Sequence, residues 1–307
     1  MQKRVVVTAK AGMLYSTPDT TNISARPIAE HNKKRHIMIK NKIAEFLIRR
    51  AVAMHSVNQK DLANWEPWLG CKQISEACRN CYYYSQHSSS FEKNRVKKTN
   101  DFYKPMSKIS SGKLVATCFM SDFFIEDADA FRNEAWQTIK SRDDLIFIIL
   151  TKRIERVKQC LPKDWGNGYN NVILGCTIEN QKRADQRLPI FAGLPIKYKF
   201  ISCVPLLEKI DLSTYLDKVK FVAVGGEIGK NARLCDYDWV LDIRSQCIQN
   251  NATFWFKNSG SRLKHNGKIK SIHPIFQNSF AKKSNINVLQ IENLDVRKAF
   301  AEGKDIT

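Results

Sequence analysis

No apolar run in this 307-residue chain approaches the ~20 residues that a membrane-spanning helix requires. The longest candidates, such as Leu145–Leu150, have the length of a strand. The basic start is followed by an apolar stretch that ends at Val7, shorter than the core of a secretory signal peptide, so a cytoplasmic protein is expected. Nine cysteines are scattered through the chain, an odd number and not the dense pattern of a small disulfide-stapled domain. In a reducing compartment they read as metal ligands and buried thiols. Acidic residues are the other shortage: 30 Asp and Glu stand against 50 Lys and Arg, a formal net charge of +20.

The excess charge is unevenly placed. Residues 1–64 carry +8 and residues 257–307 carry +6, which leaves +6 for everything between. Basic flanks on a milder body serve solubility, or they attract a polyanion, most often nucleic acid, by neutralising phosphates and releasing counterions. No base-reading motif accompanies the charge. Hydrophobic residues make up 43% of the chain, enough for a substantial core.

Residues 1–60 read as a basic N-terminal appendage. Turn-like residues at 17–22 and a basic knot at His31–Arg35 precede an amphipathic helical pattern from Ile37 to Met54. From there on, buried-strand and helix patterns alternate. The strands are expected at Leu114–Phe119, Leu145–Leu150, Val172–Cys176, Lys199–Cys203, Val219–Val224 and Thr253–Phe256. Helices are expected at Ala130–Ser141, Ile154–Cys160, Asn180–Leu188 and Tyr237–Gln249. Continuous Ile, Val, Phe and Leu runs fit strands buried on both faces, the mark of a parallel sheet with crossover helices. The expectation is an α/β fold: a full or partial (β/α) barrel of about six parallel strands over residues 61–260, followed by a basic C-terminal extension, 261–307. An open doubly wound sheet is the alternative, although no Gly-x-Gly-x-x-Gly follows the first strand.

Each run ends in polar or conformationally special residues: Ser121-Asp122, Thr151-Lys152-Arg153, Thr177-Ile178-Glu179-Asn180, Ser202-Cys203, Gly225-Gly226-Glu227 and Lys257-Asn258. One such ending is usually a helix cap; a succession of them at the carboxyl ends of parallel strands points to a shared pocket. Glu227 reads either as a pocket carboxylate or as a loop carboxylate paired with Arg233.

The chemistry is concentrated in Trp65-Glu66-Pro67-Trp68-Leu69-Gly70-Cys71 and the Cys78-x-x-Cys81 pair that follows. The Cys-x-x-Cys spacing aims two sulfurs at one centre, and Cys71 adds a third from a loop that Pro67 and Gly70 can bend. Three thiolates suit an iron–sulfur cluster with one iron left open. They also suit a structural zinc, which needs a fourth ligand, with His87 the nearest candidate. A redox pair is a third reading and leaves Cys71 unexplained. The other six cysteines, Cys118 among them, sit singly in apolar settings and read as packed small hydrophobes.

This segment resembles the signature of the phage-associated three-Cys-motif protein family. The likeness continues through Cys118–Phe124, Leu150–Arg156, Gly175–Gln181, Pro205–Glu208, Val224–Glu227 and Phe254–Lys257, covering about residues 64–280. The resemblance implies a radical-SAM-like partial (β/α) barrel, similar to spore photoproduct lyase and its DNA-repair relatives. It implies a 4Fe-4S cluster on Cys71, Cys78 and Cys81, with S-adenosyl-L-methionine on the open iron. Ser121, Asp122, Thr151, Lys152, Thr177, Glu179, Gly225 and Gly226 are then the positions expected to hold that cofactor, Lys152 facing its carboxylate. Six residues separate Cys71 from Cys78, where such enzymes usually have three, and Asn258-Ser259-Gly260 stands where family members often carry Gln-Trp-Gly.

The expected function is that of a radical S-adenosylmethionine-type enzyme acting on nucleic acid or a nucleotide, with no catalytic residue assigned. Two alternatives stand beside it. One is a non-catalytic nucleic-acid-binding protein whose loop is stapled by zinc. The other is a phage or defence component that depends on a three-Cys-motif partner protein.

Overall fold

The structure is a computed structural model, and it describes residues 62–86 and 94–290. The expected appendage, its amphipathic helix and His87 lie outside the described residues. All the described residues fall within one compact unit, which spans Ile39–Thr307.

The chain opens with β1 (Leu62–Trp65) and the short β2 (Trp68–Leu69), then a 3-10 turn at Glu76–Cys78 and α1 (Tyr82–Gln86). β3 (Lys97–Lys98) pairs antiparallel with β2, and α2 (Lys104–Ser107) leads into β4 (Leu114–Thr117). The regular part follows: α3 (Asp129–Ser141), β5 (Ile146–Thr151), α4 (Ile154–Cys160), β6 (Val172–Thr177), α5 (Gln181–Gly193), β7 (Tyr198–Cys203) and β8 (Phe221–Gly225). β9 (Cys235–Asp236), α6 (Tyr237–Gln249), β10 (Thr253–Asn258), β11 (Arg262–His265), β12 (Lys268–Ser271) and α7 (Pro274–Lys283) complete it.

Seven strands form one sheet in the order β1-β4-β5-β6-β7-β8-β10, and every pairing in it is parallel. The order never reverses, so there is no switch point and the doubly wound alternative is excluded. The fold is a partial (β/α) barrel. The unexpected seventh strand is β1, whose Leu-Ala-Asn-Trp is too short and too mixed to stand out as a buried run.

Alternation along the strands divides the core. Phe147 and Ile149 of β5 join a large cluster with Trp136 and Ile139 of α3, Leu188 and Phe191 of α5, Val240 and Ile243 of α6, and Ala281 of α7. Ile146 and Ile148, the residues between, join Ile173, Phe200, Phe221 and Trp255 in a second cluster built from strand residues alone. The helices therefore pack on one face of the sheet, as in a barrel wall, and the other face lines the inside. Gly175 of β6 is required on that inner face: a Cβ there would lie 2.2 Å from the Phe200 ring. Residues 261–290 are part of the same body, for Leu263 and Ala281 are buried in the large cluster and Val288 bridges Phe254 of β10. No helix among the described residues is long and apolar enough to cross a membrane.

Candidate metal and cofactor site

The cysteine segment lies across the carboxyl ends of the strands, and side chains from those ends hold it there. Gly70 turns the chain at φ +101°, and a Cβ on it would sit 2.2 Å from the Arg95 carbonyl oxygen, so only glycine fits before Cys71. Ser121, after β4, donates its hydroxyl to the Gly70 carbonyl. Arg153, after β5, donates through Nη2 to the Lys72 carbonyl at 3.0 Å. Tyr84 donates to the Cys71 carbonyl at 2.6 Å. After β6, Glu179 accepts from the Ala77 amide at 3.4 Å, and Arg183 pairs with Glu76 at 2.8 Å. After β8, Glu227 accepts from Asn80 at 2.9 Å.

This arrangement changes what the strand-end residues do. Asp122 is buried, and its carboxylate accepts from the Thr151 hydroxyl at 2.7 Å, from the amides of Phe124 and Lys152 at 2.9 and 3.0 Å, and lies 3.3 Å from Arg153 Nη1. With its acceptor sites filled, Asp122 braces the end of β5, and Thr151 braces Asp122. Glu179, 0% exposed, is paired with Arg187 at 2.8 Å; that guanidinium also donates to the Thr177 carbonyl at 2.7 Å. Glu227 is held by the amide of Arg233 at 2.8 Å and by its guanidinium, the loop pairing that the sequence left open.

Cys71, Cys78 and Cys81 line one cavity of about 170 Å³, together with Ser121, Asp122, Lys152 and Thr177. All three are free thiols. Burial pushes the Cys71 thiol up to about 12, with Asp122 adding to the rise, and burial raises Cys81 as well. A metal arriving at these sulfurs therefore displaces protons. Among the described residues no three His, Cys, Asp or Glu side chains converge as ligands of a single ion.

Of the eight expected cofactor positions, two present uncommitted groups to this cavity. The Thr177 hydroxyl is buried with no hydrogen-bond partner among the described residues. The Lys152 ammonium makes no salt bridge among them, and its side chain also lines a second, adjoining compartment of about 230 Å³. Gly226 lines that second compartment. Thr151, Glu179 and Gly225 line neither.

One site residue, Cys118, reads in the sequence only as a packed hydrophobe, and two strand endings singled out there take roles that the sequence does not show. Cys118 is fully buried yet lines the cysteine cavity, reached through a left-handed backbone at φ +60° just after β4. Lys257 and Asn258, a strand ending expected from the sequence, follow a register shift in β10, after Phe256, that a sequence pattern does not announce. Arg153 lines the cavity while gripping both Asp122 and the cysteine loop.

Fold and site thus define a singly wound parallel α/β half-barrel with a cysteine-lined cleft over its strand ends. The chain belongs to the family described as protein of unknown function (DUF5131), whose model matches residues 58–297. No curated protein matches it, and neither does any solved structure.

Proposed function

We propose that this is an iron–sulfur protein of the radical S-adenosylmethionine type that modifies or repairs nucleic acid or a nucleotide. The observation that carries the reading is the convergence of Cys71, Cys78 and Cys81 on one cavity over the carboxyl ends of parallel strands. The residues present fit such a group. Thiolates are the donors that iron–sulfur clusters take, and three of them line this one cavity. The buried Thr177 hydroxyl, without a partner among the described residues, marks a place for a polar ligand in the same cavity.

When bound and reduced by an external electron donor, a 4Fe-4S cluster would supply one electron for reductive cleavage of the S-adenosylmethionine sulfonium, giving methionine and a 5′-deoxyadenosyl radical. The protein's own residues bind and orient. Lys152 opposes the cofactor carboxylate, and the Thr177 hydroxyl meets a polar group of the nucleoside or amino-acid part. Asp122, Glu179 and Arg153 act one step removed, by fixing the loop that carries the cysteines. The resemblance to the three-Cys-motif family supplies the phage setting and a three-Cys-motif partner protein as parts of the same proposal.

One observation favours a second reading. Cys118 lines the cavity as a fourth thiol, and four thiolates drawn together from their present separation onto one ion would suit a structural zinc that staples the loop of a non-catalytic nucleic-acid-binding protein. Metal analysis decides between them. Anaerobically purified protein is expected to hold iron and acid-labile sulfide with broad visible absorption, lost in Cys71→Ala, Cys78→Ala and Cys81→Ala. Colourless protein holding zinc and no iron overturns the enzyme reading.

A further inference from the structure

The second compartment adjoins the cysteine cavity and shares Cys81, Tyr82, Lys152, Val204 and Lys257 with it. At its wall stands Asn258, 0% exposed. Its Oδ1 accepts from the Gly260 amide at 2.8 Å, which fixes the orientation of the carboxamide: a flip would set an NH2 group against that N–H. The Nδ2 group therefore faces the other way, and it is buried with no partner among the described residues.

The surroundings are built around that donor. A Cβ on Gly225 would come within 2.8 Å of Asn258 Nδ2, so glycine makes room for the carboxamide. A Cβ on Gly226 would fall 2.8 Å from Gly260 Cα, and one on Gly260 2.7 Å from Gly226 Cα. These glycines let the two backbones pass close together, and of the three only Gly226 lines the compartment. The register shift after Phe256 sets Asn258 opposite Gly225 and leaves Lys257 exposed at the mouth of both compartments. Lys152 brings a second ammonium. The carboxylate at this wall, Glu227, is offset by Arg233 and held by Asn80. Tyr82 and Ile228, 46% and 50% exposed, add apolar surface beside the charged groups.

An exposed ammonium, a second ammonium at the junction of the two compartments and a buried amide donor match an anion with several acceptor oxygens, next to a flat apolar body. We propose that this compartment is a phosphate subsite, in which Lys257 and Asn258 Nδ2 grip a phosphate of the nucleotide unit on which the cysteine compartment acts, with Lys152, held to the cofactor carboxylate, adding positive potential from the junction. The inference deepens the reading above and rests on it for the substrate.

The test is titration calorimetry on the full chain, with and without reconstituted iron, using thymidine 5′-monophosphate, thymidine, and a short single-stranded oligonucleotide. At least one phosphate-bearing probe is expected to bind about tenfold or more tightly than thymidine, by a charge-assisted contact that weakens as salt rises. The probe that binds tells whether the phosphate comes from a free nucleotide or a strand. Lys257→Gln and Asn258→Asp are each expected to weaken that binding about tenfold or more. Asn258→Asp keeps the acceptor for Gly260 and turns the donor into a repelling oxygen; should it fail to fold, the exposed Lys257→Gln carries the test alone. Equal binding of thymidine and both phosphate probes, or Lys257→Gln binding like the parent, overturns the subsite. Binding is read without reference to iron, so a protein that lacks iron yet binds phosphate in this way refutes the cluster and keeps the subsite.

Discussion

The Thr151 hydroxyl donates to Asp122 Oδ1 at 2.7 Å, joining the last residue of β5 to the loop that follows β4. The contact is the first link of a chain that ends at the cysteines. Asp122 sits 3.3 Å from Arg153, and Arg153 holds the carbonyl of Lys72, next to Cys71. Asp122→Ala leaves the buried Arg153 without its main counter-charge and two strand-end amides without an acceptor. The expected loss of unfolding free energy is about 3–5 kcal/mol, the range for removing one partner of a buried ion pair. Urea denaturation measures it. Iron content should fall in parallel, because the same chain positions Cys71. A variant of parental stability that has lost only S-adenosylmethionine binding would return Asp122 to the role of a direct ligand.

Gly70 makes a second, purely steric prediction. Its left-handed φ of +101° and the Arg95 carbonyl 2.2 Å from any added Cβ leave no room for alanine. Gly70→Ala is expected to cost about 1–3 kcal/mol or more through backbone strain, and to displace Cys71 so that metal loading fails. Gly166 is the control. It also has positive φ, +55°, but nothing lies within 4 Å of an added Cβ, so Gly166→Ala should cost only about 1 kcal/mol and load metal normally. Similar thermal shifts and metal contents for the two variants would show that the close approach at Gly70 is unimportant.

These contacts mark the boundary of what the sequence could show. The strand runs of β5 to β8 and β10, and the helices α3 to α6, were legible because each is a sustained apolar pattern of the right period, and Ile154–Cys160 and Tyr237–Gln249 fall where the periodicity places them. β1 was not, because four mixed residues carry no period. The face on which the polar strand-end residues sit followed from parallel topology alone. Their division of labour did not. Ser121, Asp122 and Glu179 look like ligand groups in sequence, yet their partners lie 51, 29 and 102 residues away along the chain, at Gly70, Thr151 and Ala77. The ending Lys257-Asn258 stood out in sequence, but not the reason Asn258 matters, a donor left over after Gly260 has taken its oxygen.

A pH dependence follows from Glu66. Its carboxylate accepts from the amides of Phe119 and Met120 at 2.9 and 3.1 Å, on the loop that walls the cysteine cavity. Burial raises its pKa from 4.5 to about 7, while those amides and nearby Lys104 pull it down. Between these values the native state keeps a proton that the unfolded chain has released. Stability therefore falls as pH rises from 4.5 to about 7 and levels off above, by at most about 3 kcal/mol from this group. Urea midpoints of the parent and Glu66→Gln across that range measure the effect. The variant should lose the part of the slope that Glu66 supplies, and superimposable slopes would place Glu66 at its ordinary carboxylate value.

Cys118 decides how many thiolates the centre uses. It lines the cavity with the other three, but its backbone is fixed at φ +60° and its amide donates to the Trp65 carbonyl at 3.0 Å, so its position is set by the end of β4 and not by the cysteine loop. If three cysteines ligate a cluster and one iron stays open, Cys118→Ala removes only a small buried side chain. The cost should be about 1–2 kcal/mol, with iron, sulfide and visible absorption retained. If four thiolates enclose a zinc, the same substitution removes a ligand, and zinc affinity should collapse. The spectroscopic signature adds a readout that stability alone cannot mimic. With three ligands, S-adenosylmethionine should perturb the electron paramagnetic resonance spectrum of the reduced cluster in the parent and in Cys118→Ala alike. A cluster that is lost in Cys118→Ala, or a parent spectrum indifferent to S-adenosylmethionine, would close the fourth position and remove the basis for radical chemistry at this site.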